Sequence, residues 1–338
     1  MLRKPVFIVG YRRSGTSLLR SLLSFHPDVA FLPVESHFFT VVHPFRDDNL
    51  MEPVLFDRFW SHFTGSKHFR RTGLDADAIR REIESLGTID LRGVFTCLLS
   101  HQAALEGKPR AGEKTPGNYR HLRTILDWYP DAQVVFLMRD PRAIWTSHLK
   151  LEEAWAKVDS EKIMRGWRES AYEARKWKRS PYVRIVHYEE LVRNPEAELR
   201  TILDWLELDY PDGILNRTEF QGPAVGTYHM DGPVQSGSIE KWRETLTSEQ
   251  VAFVESKARA EMEWHGYATD QIEVRLPDRV AAEIRYLAYS WKRSLGVVLE
   301  TLAPRLRSAR TRLRPAAPNP LMQDSVLGDQ EDPIDETP

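Results

Sequence analysis

An uninterrupted β-rich run, a glycine-bounded turn and a helical repeat follow one another over residues 6–20, V-F-I-V-G-Y-R-R-S-G-T-S-L-L-R, and few folds accommodate that succession. Pro5 to Val9 are apolar without alternation, which predicts a strand covered on both faces, as in a parallel sheet. From Ser14 the apolar residues Leu18, Leu19, Leu22, Leu23 and Phe25 recur at helical spacing until His26-Pro27-Asp28 stops them. A turn between such a strand and helix aims several backbone N–H groups, and the positive end of the helix dipole, at one place. That is a cradle for phosphate or sulfate. Gly10 and Gly15 have the spacing of the nucleotide loop G-x-x-x-x-G-K-[ST], but Thr16 stands where that motif needs lysine. Loss of the lysine contact disfavours ATP or GTP hydrolysis. The positive charge comes instead from Arg12 and Arg13, beside the hydroxyls of Ser14, Thr16 and Ser17. A plain strand-to-helix connection would need none of these side chains.

Further strands are predicted at Val29–Leu32, Gln133–Met138 and Val183–Val186, alternating with helices, while Gly112–Pro116 reads as a turn. Residues 40–107 read as mostly helical, an insertion over the sheet. The expected fold is α/β, a P-loop-like three-layer sandwich with a central parallel sheet flanked by helices, plus that insertion and a C-terminal helical extension. The expected divisions are a main domain over 1–270, a helical and increasingly basic extension over 271–314, and a disordered tail over 315–338, rich in Pro, Asp and Glu.

A second cluster, V-V-F-L-M-R-D-P-R-A-I-W-T-S-H over residues 134–148, places Arg139 at the C-terminal end of a buried strand, where open α/β sheets bind ligands. Ser147 follows two helical turns later. Arginine can grip a phosphate bidentately and the serine can add a hydrogen bond; R-D-P-R alone could equally be a salt-bridged helix cap. Glu35 follows the second strand at its C-terminal end and should face the cradle, and His37, two residues on in a strand-like extension, should share its face. Either suits a general base, though a surface turn would contain the same residues.

Together, Y-R-R-S-G-T-S and L-M-R-D-P-R…S resemble the nucleotide site of sulfotransferases that use 3′-phosphoadenosine-5′-phosphosulfate (PAPS) and release adenosine 3′,5′-bisphosphate (PAP). The resemblance continues at G-E-K-T-P-G-N-Y (112–119), V-H-Y-E-E-L-V (186–192) and S-G-S-I-E-K-W-R (236–243), and so spans roughly residues 5–267. In wording it is closer to tyrosylprotein and to bacterial or Golgi-type carbohydrate sulfotransferases than to the cytosolic phenol and steroid enzymes. It implies that Arg12, Arg13, Ser14, Gly15, Thr16 and Ser17 cradle the 5′-phosphosulfate and that Arg139 and Ser147 bind the 3′-phosphate. Tyr188 would line the cofactor site, and Ser236 and Gly237 would close over the 3′-phosphate, although Gln235 and Ser236 replace the Arg-Lys pair of cytosolic members. Glu35 would be the catalytic base, with His37 its rival, and Lys114 would stabilise charge on the bridging oxygen. Arginine and lysine take the place of magnesium, so no metal is expected.

With 47 Lys plus Arg against 49 Asp plus Glu, the net charge is −2, and no nucleic-acid partner is expected. A single cysteine, Cys97, excludes an intrachain disulfide. Met1–Pro5 lead straight into the first strand, so neither a signal peptide nor a membrane span is expected and the cytoplasm is the simplest location. The basic run from Arg305 to Arg314 could touch an anionic membrane, although such runs are more often solvated or oligomer contacts. The acceptor class is open, a glycan or glycolipid being slightly favoured on family breadth, and Trp60, Phe63, Trp155 and Trp167 could line an aromatic acceptor site. A P-loop kinase or nucleotide transferase and a catalytically silent anion-binding scaffold are the competing functions.

Overall fold

In the computed structural model the described residues are 2–149, 160–216 and 239–269, all within the unit Met1–Val274. The basic extension and acidic tail lie outside them, as do Trp155, Ser236 and Gly237.

Strands β1 (Val6–Gly10), β2 (Val29–Phe31), β3 (Arg110–Lys114), β4 (Gln133–Met138) and β5 (Val183–His187) form one parallel sheet in the order β2-β3-β1-β4-β5. Strand β1 is central, with Val6 opposite both Gly112 and Gln133. The side-chain period of two divides it between two cores. Phe7 and Val9, with Val134 and Phe136 of β4, enter one. Val6 and Ile8, with Val135 and Leu137, enter the other. That two-sided burial explains the unalternating apolar runs.

Helix α1 (Thr16–Ser24) returns the chain to β2. The helices α2 (Phe38–Val42), α3 (Pro53–Gly65), α4 (Lys67–Arg70), α5 (Ala76–Glu84) and α6 (Leu91–Glu106) then make up the insertion. Its aromatic residues pack together, Phe59 against Phe63 and Phe38 against Phe95, within the first core. Helix α7 (Leu122–Trp128) leads to β4, and α8 (Pro141–Leu149) and α9 (Ser160–Trp177) lead on to β5. Two helices follow β5, α10 (Tyr188–Arg193) and α11 (Pro195–Trp205), broken at Asn194-Pro195. The short α12 (Lys241–Thr245) and the long α13 (Ser248–Trp264) complete the described chain, α13 with a Thr247/Gln250 capping box. Among the described residues no helix is long and apolar enough to cross a membrane.

Strand β3 corrects the reading of Gly112–Pro116 as a turn. All five residues of R-A-G-E-K are buried, and polar side chains are tolerated there because each finds partners from distant segments. Arg110 donates to the Lys4 carbonyl at 2.7 and 2.9 Å, to the Leu206 carbonyl at 2.6 Å and to Gln133 Oε1 at 2.7 Å. Gly112 leaves room for the Phe31 ring, which a Cβ would meet at 2.5 Å. Replacing Arg110 by alanine should therefore strand buried acceptors and cost about 2–4 kcal/mol of unfolding free energy. Urea titration would check this; an unchanged midpoint would mean that the carbonyls find other donors.

Candidate active site

The loops leaving the C-terminal ends of β1, β2, β3 and β4 meet beside β1, on either side of which the chain order diverges, the usual crevice of an open α/β sheet. The β1–α1 loop is built on positive φ angles at Gly10 (148°), Arg13 (70°) and Gly15 (93°). At Gly10 a Cβ would lie 2.3 Å from the Leu137 carbonyl oxygen; at Gly15 it would lie 2.3 Å from the Tyr188 ring. Both glycines are therefore required by close approach as well as by backbone conformation. Gly15 is the N-cap of α1 and offers no side chain to it, so the first N–H groups of that helix face outward from the loop. The Ser14 hydroxyl is buried with no hydrogen-bond partner among the described residues. A buried orphan hydroxyl beside a helix N-terminus suits an anion that accepts from both.

Arg13, an arginine in a left-handed conformation, is held by both ends. Its carbonyl accepts from Arg139 Nη1 at 3.0 Å, and its Nε donates to Ser147 Oγ at 3.0 Å. The Arg139 guanidinium stacks 4.1 Å over the Tyr188 ring, and its own carbonyl accepts from Trp167 Nε1 at 2.8 Å. Arg13, Gly15, Arg139, Ser147 and Tyr188 thus come together from three separate stretches of the chain. Arg12 is exposed on the loop. In R-D-P-R only the first arginine turns to this site: Arg142 is buried against Asp140 at 2.7 Å and Glu255 at 2.9 Å and stacks on Trp242 at 3.9 Å. The second arginine is thus the salt-bridged anchor that the bland reading of the motif described. Ile239 shares a small hydrophobic cluster with Tyr188 and Val192, while Ser236 and Gly237 are outside the described residues.

On the other side of the loop, Lys114 at the end of β3 donates to Glu35 Oε1 at 2.5 Å and to Ser17 Oγ at 3.2 Å. His37 Nε2 lies 3.2 Å from Glu35 Oε2. His37 does not continue a strand; it has φ 47° and caps α2, yet it reaches Glu35 from that turn. The turn is pinned from beneath by Glu113, which is fully buried. Glu113 accepts from Ser36 Oγ at 2.8 Å, from Asn118 Nδ2 at 2.8 Å and from the Thr115 hydroxyl, while Thr115 Oγ1 accepts the His37 N–H at 3.3 Å. Burial raises the Glu113 carboxyl above its ordinary range despite those donors. Burial likewise lowers Lys114, opposed by Glu35. For Glu35, burial alone would raise the pKa, but the hydrogen bond from His37 and the Lys114 charge together bring it to about 2. Arg20 donates to the carbonyls of Leu32 and Pro33 and so fixes the segment that carries Glu35.

Sequence spacing did not reveal the roles of Ser36, Glu113, Thr115, Asn118, Arg20 or Trp167, which orient others through long-range bonds. The G-E-K-T-P-G-N run was the one available signal for Glu113, Thr115 and Asn118. Trp60, Phe63 and Trp167 are 6%, 2% and 0% exposed, so they are core and do not line an acceptor pocket. No group of acidic, histidine or cysteine side chains suited to a metal occurs among the described residues.

The site thus combines a P-loop-like turn that lacks the nucleotide-triphosphate lysine with a lysine–glutamate pair beside it. Residues 5–212 match the Sulfotransferase family, and the chain belongs to that family. It is 22% identical over 276 residues to protein-tyrosine sulfotransferase A of Caenorhabditis elegans, covering 75% of this chain and 64% of that protein. It is 26% identical over 291 residues to the nodulation protein NoeE of Sinorhizobium fredii, covering 76% and 64%. The chain therefore spans just under two thirds of the length of these relatives. The sulfotransferase domain of the Synechococcus PCC 7002 olefin synthase shares the fold, with a TM-score of 0.56 at 21% identity over 79% of this chain and 96% of that one.

The depressed Glu35 carboxyl sets a pH window. Its folded value, about 2, lies below its unfolded one, so its stabilising contribution is complete above the unfolded value of about 4.3 and is lost as pH falls toward the folded one. Urea unfolding of the wild type and Glu35→Gln should accordingly differ most above pH ~5 and converge in acid. A difference independent of pH would mean that the ion pair does not form.

Proposed function

We propose that this enzyme transfers a sulfuryl group from PAPS to a hydroxyl (or amine) acceptor. The observation that carries the reading is the pairing of two anion sites on one crevice: the β1–α1 loop with its orphan Ser14 hydroxyl, and the Arg13–Arg139–Ser147 cluster under Tyr188. One suits the 5′-phosphosulfate and the other a 3′-phosphate, which ordinary nucleotides lack. The donor, when bound, supplies an activated sulfuryl group whose leaving group is a phosphate oxygen.

The chain's own residues then have separable tasks. The N–H groups of Thr16 and Ser17 and the Ser14 hydroxyl would hold the 5′ end; Arg139, Ser147 and Arg13 would hold the 3′ end. Lys114 would neutralise charge gathering on the leaving oxygen. Glu35 would take the proton from the acceptor O–H as the acceptor oxygen bonds to sulfur and the old sulfur–oxygen bond breaks, its electron pair staying on phosphate. At a pKa of about 2 Glu35 is a weak base while Lys114 and His37 both hold it. Movement of Lys114 toward the leaving oxygen would release one of those holds, so the carboxylate would gain basicity as the site fills.

The names of several relatives put peptidyl tyrosine first among acceptors to test, ahead of the glycan favoured on the sequence alone. Cytoplasmic residence remains part of the proposed reading and rests on cysteine usage.

Calorimetric binding of PAP against 5′-AMP tests the donor. PAP should bind about 10- to 100-fold more tightly, the worth of charge-assisted bonds to one phosphate, and Arg139→Ala should abolish the preference. Equal binding of the two nucleotides would remove the 3′-phosphate assignment. Separately, Glu35→Gln should lower turnover on the order of 10²- to 10⁴-fold, assayed with radiolabelled PAPS and a tyrosyl peptide. The same variant should bind PAP at least as tightly as the wild type, because Lys114 loses its competing partner. Undiminished turnover would exclude Glu35 as the base.

A further inference from the structure

His37 is the more exposed of Glu35's two partners: its side chain is 35% exposed against 5% for Lys114. Its backbone is held by Thr115, a bond that does not reach the imidazole. The ring is instead met by a second imidazole, that of His68, at a centroid distance of 4.3 Å and an interplanar angle of 47°. His68 comes from α4, in the helical insertion, and not from the sheet. That short helix is well seated. Ser66 Oγ caps it by accepting the Phe69 N–H at 3.1 Å, and Phe69, buried, packs on Phe63 at 5.1 Å and Trp60 at 6.3 Å. The flanking Lys67, Arg70 and Arg71 are exposed, while His68 turns inward to the His37 ring.

Two imidazoles in contact cannot readily both be charged. Burial, then His37, Lys67 and Arg71, lower His68 below its ordinary value, with Glu35 opposing. A neutral ring therefore packs against His37 near neutral pH, leaving His37 Nε2 free to address the carboxylate.

We propose that His68 is a positioning residue which, acting through His37, holds the Glu35 carboxylate in its working orientation, so that the catalytic base is assembled jointly by the sheet and the helical insertion. The proposal rests on the reading of Glu35 as the base. It adds a residue that touches neither donor nor Glu35, and it gives the insertion a part in the chemistry. No proton need pass to His68: the proton released by the acceptor goes to Glu35, and His68 only confines the ring that confines Glu35.

The test is a double-mutant cycle on the full chain, with radiolabelled PAPS as donor and p-nitrophenol as probe acceptor, and with PAP affinity and thermal midpoint measured on each variant. His68→Ala is expected to lower kcat roughly 10- to 100-fold, the scale of a displaced catalytic group, with the PAP Kd and the midpoint nearly unchanged. His68→Phe, which keeps a flat ring against His37, should recover most of kcat. In a Glu35→Gln background His68→Ala should cost nothing further, because both changes disable the same base. An equal fold-loss in both backgrounds, or a loss that appears in PAP affinity, would overturn the role of His68 while leaving Glu35 as base. Undiminished kcat in Glu35→Gln alone would overturn the base reading and the His68 proposal together.

Discussion

Gly10 has no space for a side chain, since a Cβ there would lie 2.3 Å from the Leu137 carbonyl oxygen. That contact between the end of β1 and its neighbour β4 lets the following loop fold back over the sheet instead of leaving it. The loop then brings Arg13 to the carboxyl end of β4, where Arg139 begins, and presents Gly15 to the Tyr188 ring at the end of β5. A left-handed arginine costs on the order of 1–2 kcal/mol relative to ordinary helical geometry. The Arg139 bond to its carbonyl and the Ser147 bond to its guanidinium hold it there. The β1–α1 loop and the Arg139–Ser147 region are therefore one mechanical unit, and neither can move far without the other.

Strand β3 plays the matching part on the opposite side of β1. Its ends are polar for different reasons. Arg110 closes the amino end against carbonyls of Lys4 and Leu206, a structural task remote from the crevice. Glu113 and Lys114 point to opposite faces at the carboxyl end, as strand geometry requires. One anchors the Ser36–His37 turn; the other enters the crevice to meet Glu35 and Ser17. Burying a carboxylate and an ammonium side by side in sequence is costly unless each is fully bonded, and the hydroxyls of Ser36 and Thr115, the Asn118 amide and Glu35 supply those bonds.

This arrangement also explains which parts were legible in the chain. Strands β1, β2 and β4 announce themselves because they are buried on both faces and largely apolar, and β5 through Val183, Ile185 and Val186. Strand β3 does not: R-A-G-E-K has the composition of a turn, and only partners up to 106 residues away make its burial tolerable. Likewise the Arg13, Arg139 and Ser147 positions could be read from motif wording. The Trp167 indole that fixes the Arg139 carbonyl and the His68 ring against His37 follow from tertiary packing, which no local spacing records. Trp60, Phe63 and Trp167, which suggested an acceptor wall, failed for the commoner reason that helical aromatic residues fill cores.

The Lys114–Glu35 pair joins these strands of argument. Glu35 is about one third exposed and Lys114 is almost wholly buried, so the lysine has more to lose if the pair is broken without replacement. A buried ammonium left without a partner is strongly disfavoured, so in the proposed reaction Lys114 would exchange Glu35 for another anion and not simply release it. An anion arriving in the β1–α1 loop, beside Ser17, is the partner the geometry offers, since Ser17 already lies within hydrogen-bond distance of the lysine. Occupation of the loop and basicity of Glu35 would in this way be linked by a single competition for Lys114. A carboxylate left with His37 alone would then be held through a ring that His68 of the insertion touches, so the proposed base would draw on the insertion as well as on the sheet.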